Sequence, residues 1–77
     1  MQVNVILHSI LREKLPAEAR GKALLDLPEG ARLRDVVTRL DLPSNTVCAV
    51  NEQMERNPDR LLADGDVLRF MRPGAGG

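Results

Sequence analysis

Aromatic rings are all but missing from this sequence. Phe70 is the single one, with no tryptophan and no tyrosine beside it. A base-stacking platform needs several exposed rings, so nucleic acid is not an expected partner. An excess of one charge is missing too, because eleven basic residues balance eleven acidic ones. That leaves no positive field for a phosphate backbone or an anionic membrane surface. Cys48 is the only cysteine, which excludes an internal disulfide and a thiolate metal cluster. No basic-then-apolar signal segment opens the chain, and no apolar run approaches membrane-spanning length. The cytoplasm is the expected compartment.

What is present reads as one small α+β domain of 77 residues. "QVNVILH" alternates, with Val3, Val5 and Leu7 on one face and Asn4, Ile6 and His8 on the other, which is a strand signature. "REKLPAEARG" breaks the pattern and reads as a connection, and "KALLDL" (Lys22 to Leu27) as a second strand. After the turn cluster "PEGA" the period changes. Leu33, Val36, Val37 and Leu40 stand at i, i+3, i+4 and i+7, which puts four apolar side chains on one stripe of a short helix. Asp35 falls in its first turn, where the helix dipole favours a negative charge. "TVCAVN" is a third apolar run, too short and too β-branched for a helix. In the polar stretch that follows, Leu61 and Leu62 are expected to pin the chain to the core through a single helical turn. "DGD" then makes a tight turn into "VLRFM", the last strand. One helix must cover one face of a single sheet. With the first and last strands side by side, the expected architecture is a ubiquitin-like β-grasp, a mixed four- to five-stranded sheet over residues 1–72.

Convergent reactive groups are not in view. His8 is the only histidine, and parity puts it on the outer face of the first strand, far in sequence from any nucleophile. Ser9, Thr38, Ser44 and Thr46 have no base beside them with triad logic. Asp64 and Asp66 straddle Gly65 as a turn does, and no further acidic ligands follow at a calcium-loop spacing. Cys48 lies in an apolar run, where a buried, inert thiol is expected. No metal site and no bound cofactor are expected, and the chain reads as something other than a catalyst.

The ending, "FMRPGAGG", is the informative stretch. Glycine makes up about 7% of residues on average, so two at a chosen end arise by chance roughly once in 200 chains. Pro73 cannot donate a ladder hydrogen bond, so the strand must stop there, and it biases Arg72 towards extended geometry. Residues 73–77 are expected to be a flexible tail with almost no side-chain bulk. Such a tail can thread a channel one backbone wide and present a carboxylate to another protein's active site. Activated as an acyl adenylate, an unhindered glycine carbonyl is easily attacked by sulfide or an amine.

Several stretches resemble the MoaD/ThiS family of ubiquitin-like sulfur carriers. They are "ILREKLP" after the first strand, "LPEGARLRDVV" leading into the helix, "AVNEQ", "LADGDVLRF" and the closing Gly-Gly, in the family's order. The resemblance implies a β-grasp fold and chemistry at the tail. Gly77, with Gly76 beside it, would carry the acyl adenylate and then a thiocarboxylate. A ubiquitin-activating-type adenylyltransferase would use ATP for the first step, and a sulfur donor would supply the second. The recipient would be a molybdopterin synthase large subunit or a thiazole synthase. Phe70 and Pro73 in the ending are more like the molybdopterin type, although Arg72 stands where a second proline is usual. Arg32 replaces the frequent threonine or serine before the helix, and Glu52 a frequent glycine after Asn51.

If the first and last strands are neighbours, Ile6 and His8 lie beside Arg69 and Met71 on the solvent face. Together with Arg72, Pro73, Gly74 and Ala75 they form the expected partner-binding surface. In related family members the position of Met71 is apolar and lies at that interface. Two other readings of the chain stand beside the sulfur carrier. One is a ubiquitin-like modifier joined to lysines through Gly77, with only Lys14 and Lys22 available for self-linkage. The other is a non-covalent β-grasp binding module.

Overall fold

The computed structural model describes residues 1–74, so Ala75, Gly76 and Gly77 lie outside the described residues. Five strands and one α-helix follow in the order β1 (Gln2–Leu7), β2 (Lys22–Asp26), α1 (Leu33–Arg39), β3 (Val47–Val50), β4 (Gln53–Glu55) and β5 (Val67–Met71). They form a single sheet in the order β2-β1-β5-β3-β4. β1 and β5 pair in parallel, and the other neighbours are antiparallel. The mixed β-grasp expected from the sequence is therefore the observed fold.

The alternation in β1 sets the inner face. Val3, Val5 and Leu7 are buried, and they meet Leu68 and Phe70 of β5, both with no exposed surface. Leu33 and Val36 of α1 cap this layer, with Leu11, Leu25, Leu42, Val50 and Leu62 around it. The connection after β1 is more ordered than Pro16 and Gly21 suggested. It contains two 3-10 helices, Ser9–Lys14 and Ala17–Ala19, and the first buries Leu11.

Arg32 occupies the N-cap of α1, where a guanidinium cannot accept a hydrogen bond. The loop after β4 takes over that task. Leu33 N–H donates to the Arg60 carbonyl at 3.0 Å, and Arg34 N–H donates to the Pro58 carbonyl at 2.8 Å. Asp35 accepts from Arg32 N–H at 2.7 Å, which completes half of a capping box. This corrects the expected helical turn at Leu61–Leu62. The segment stays extended because its carbonyls serve the helix start and Leu61 bridges to Arg32. Only Leu62 is buried, while Leu61 is 55% exposed.

The hairpin between β3 and β4 closes without a glycine. Asn51 and Glu52 both take positive φ, 50° and 73°, as a two-residue turn of the primed type requires. Asn51 carries much of the cost of that geometry. Its Nδ2 donates to Asp66 Oδ1 at 2.8 Å, and its Oδ1 accepts from Val67 N–H at 2.9 Å. Asp66, 8% exposed, also accepts from Ala63 N–H at 2.8 Å. Asp64 accepts from Gln2 N–H at 2.7 Å. Both aspartates are thus engaged as turn ligands of the backbone.

Candidate functional site

The last strand is the centre of the sheet, and the tail leaves from its end. β5 is hydrogen-bonded on both sides, to β1 and to β3, so its direction is fixed by two ladders. Leu68 and Phe70 anchor it inward, which leaves Val67, Arg69 and Met71 on the outer face, all half-buried. The strand ends at Met71, just before Arg72 and Pro73. Pro73 and Gly74 make a turn, with Gly74 at a φ of 75°.

The register brings together most of the surface expected from parity. Ile6 is directly opposite Arg69. His8 N–H donates to the Phe70 carbonyl at 3.1 Å, which carries the β1–β5 pairing one step further and sets His8 next to Met71. Ile6, His8 and Met71 are half-buried rather than fully exposed, while Arg72, Pro73 and Gly74 are exposed. Ala75, Gly76 and Gly77 lie outside the described residues.

Sequence reasoning missed the other half of this face. β3 contributes Val47, opposite Met71, and Ala49, opposite Arg69. Arg69 Nε donates to Glu52 Oε1 at 3.2 Å, so the hairpin turn holds the guanidinium beside Ala49. Met54 of β4, 59% exposed, pairs with Ala49 further out. An apolar band of Ile6, Met71, Val47, Ala49 and Met54 therefore crosses four adjacent strands. The missed signal was alternation in "TVCAVN", where Val47 and Ala49 share parity opposite to Cys48 and Val50.

Chemistry on the body itself is sparse. Behind β3, a groove of about 500 Å³ runs between α1 and the β3–β4 edge, lined by Leu33, Val37, Pro43, Val47 and Pro58, with Cys48 on its floor. Burial pushes the Cys48 thiol up to about 12, and the nearby Glu55 carboxylate pushes in the same direction. The thiolate that nucleophilic or sulfur-relay chemistry needs is therefore absent near neutral pH. Glu55 itself is held below the usual carboxylate range by its bond from Arg60, at 2.9 Å. Among the described residues, no group of three or more His, Cys, Asp or Glu side chains converges to hold a metal ion. None of the described helices is long and apolar enough to cross a membrane.

The β-grasp body is shared by proteins of known structure. Residues 9–77 match the ThiS family. The chain belongs to the MoaD/ThiS family. Its fold is similar to a protein assigned as molybdopterin converting factor subunit 1 from Pyrococcus furiosus. That pair has 25% identity and a TM-score of 0.75, over 95% of this chain and 98% of the other. Subunit 1 in the complex of molybdopterin-converting factor subunits 1 and 2 from Helicobacter pylori has 21% identity and a TM-score of 0.69, with both chains covered in full. Small archaeal modifier protein 1 from Haloferax volcanii has 16% identity and a TM-score of 0.75, over 94% of this chain and 97% of the other. No curated protein matches the sequence. MoaD/ThiS proteins are small carriers. The structural likenesses add that molybdopterin converting factor subunits and a small archaeal modifier protein have this fold.

Proposed function

We propose that this chain is a sulfur carrier of the cytoplasm whose reacting group is the Gly77 carboxylate. A ubiquitin-activating-type partner attacks the α-phosphate of ATP with that carboxylate, releasing pyrophosphate and leaving an acyl adenylate. A sulfur donor then supplies hydrosulfide, whose sulfur attacks the carbonyl carbon and expels AMP, which gives a thiocarboxylate. The sulfur goes on to a cofactor under construction. Molybdopterin is favoured over the thiamin thiazole, because the ending resembles the molybdopterin type and two similar structures are molybdopterin converting factor subunits. The Helicobacter pylori complex of subunits 1 and 2 supports a large-subunit partner.

One observation carries this reading: the family match runs through Gly77, in the side-chain-poor sequence that follows the end of β5 at Met71. No side chain of the body needs to react, which agrees with the silent Cys48. The second reading, a modifier attached to lysines through the same carbonyl, is favoured by the likeness to small archaeal modifier protein 1. Mass spectrometry of the protein from its native host separates the two. Exchange of one carboxylate oxygen for sulfur, placed beyond Pro73 by fragmentation so that oxidised Met71 is excluded, supports the carrier. Gly77 found on foreign lysines, with no thiocarboxylate, overturns it in favour of the modifier. If removal of Gly77 leaves function intact, both covalent readings fail and a non-covalent module remains.

A further inference from the structure

β2 is an edge strand whose free side is complementary to itself. Met1 and Leu27 exchange both backbone hydrogen bonds, at 2.9 and 2.8 Å, and Leu7 N–H donates to the Gly21 carbonyl at 2.6 Å. Antiparallel ladders alternate, so Ala23 and Leu25 also direct their backbone groups at β1. Lys22, Leu24 and Asp26 must then direct theirs away from the sheet. Arg39 reports the same orientation, because its Nη1 donates to the Asp26 carbonyl at 2.8 Å. The Leu24 side chain is 58% exposed. Among the described residues, neither the Lys22 ammonium nor the Asp26 carboxylate has an ion-pair partner.

We propose that β2 pairs with β2 of a second copy of this chain, antiparallel about a two-fold axis through Leu24. In that register every opposed pair matches. Leu24 meets the second copy's Leu24, and each Lys22 meets an Asp26 across the seam, twice over by symmetry. On the helix side, Ala23 meets Leu25 in both directions, so the apolar layer continues across the join. Sliding by two residues puts Lys22 or Asp26 opposite Leu24 and loses both charge pairs, so the register is specified. The Asp26 carbonyl keeps its bond from Arg39 and has a second lone pair for the incoming N–H of Lys22.

The arrangement leaves the carrier end free. Five strand-to-strand steps separate the two copies of β5, about 24 Å. Because the two-fold axis reverses strand direction, the two tails leave at opposite ends of the joined sheet. Met71, Val47 and Met54 stay uncovered. A five-residue seam is small for a permanent dimer, so reversible association is expected.

Sedimentation equilibrium of the full chain, from micromolar to millimolar concentration, tests this. The expected result is a monomer–dimer equilibrium, with the Leu24 amide exchanging more slowly as concentration rises. Lys22→Asp and Asp26→Lys should each weaken the dimer by about tenfold, since two attractive pairs become two repulsive ones. The double swap Lys22→Asp with Asp26→Lys should restore it. These side chains lie at an exposed edge, and circular dichroism confirms that each variant is folded. A chain that stays monomeric at millimolar concentration overturns the proposal, as does a dimer indifferent to the single reversals or one not restored by the swap.

Discussion

Replacing Asn51 by alanine tests the hinge between the β3–β4 hairpin and the last strand. Asn51 spends its whole amide on two partners, the buried carboxylate of Asp66 and the backbone N–H of Val67. The bond to an ionised acceptor is worth about 1.5–3 kcal/mol, and the neutral one about 0.5–1.5. Alanine must also hold the positive φ of 50°, which costs a further 1 kcal/mol or so. The sum is about 4 kcal/mol. A chain of 77 residues has only about 4–12 kcal/mol of stability to lose. At roughly 4–8 °C per kcal/mol, the melting temperature should fall by some 20 °C. Asn51→Gly removes the same bonds and is at ease at positive φ, so it should lose roughly 1 kcal/mol less. Urea unfolding of the three proteins reads these differences directly. A loss under about 1 kcal/mol for Asn51→Ala would show that water replaces the amide, and the clip would then be decorative.

Three further outcomes follow from the site and its surroundings. Met71→Glu should weaken docking to the proposed activating partner in a binding titration, yet cost less than about 1 kcal/mol of stability, because the side chain is on the outer face. The Cys48 thiol should resist iodoacetamide at pH 8 in the native protein and react promptly in urea, since its pKa is about 12 when folded. The raised pKa means that the folded state holds the proton more tightly. This contribution is present in full below the unfolded value of 9.0 and is lost as pH climbs from there towards 12, so alkaline denaturation should be milder in Cys48→Ala. Gly21→Ala should lose about 2–4 kcal/mol by thermal melting, because φ is 77° and a Cβ would sit 2.6 Å from the Leu7 carbonyl oxygen.

Much of this was legible because it rested on period. Val3, Val5 and Leu7 alternate against a core that accepts one face only, so parity alone put Ile6 and His8 outside. Leu33 and Val36 stand one turn apart and bury the helix stripe. β5 could be read from "VLRFM" once "DGD" supplied a turn. β4 could not, because its three residues, Gln53 to Glu55, are polar or isolated and gain strand geometry only by pairing with β3. The start of α1 was read correctly at Leu33, but how it is capped was hidden for a related reason. Its caps are carbonyls of Pro58 and Arg60, groups every sequence possesses, brought close by a loop that no local signal describes. Asn51 looked like half of a weak turn, since its partner Asp66 is fifteen residues away. Of the proposed site, the docking residues on β1 and β5 followed from parity, whereas Val47, Ala49 and Met54 needed the sheet order.

The proposed division between a stiff body and a reacting end can be probed by two substitutions in the same eight residues. Phe70 has no exposed surface and sits in the central strand, so Phe70→Ala should cost about 3–5 kcal/mol through lost burial and the cavity left behind. Adenylation measured per folded molecule should nevertheless change little, because the ladders to β1 and β3 still set where β5 ends. Gly77→Ala should do the reverse. If the proposed activation is right, the added methyl group would crowd the carbonyl that the partner approaches, so the rate of adenylation should drop sharply while the melting temperature stays within a degree or two. The two measurements, one rate assay and one melt, must cross over between the variants. If Phe70→Ala abolishes adenylation in protein that is demonstrably folded, the body itself takes part in the reaction. If Gly77→Ala reacts at the normal rate, the reacting group is elsewhere.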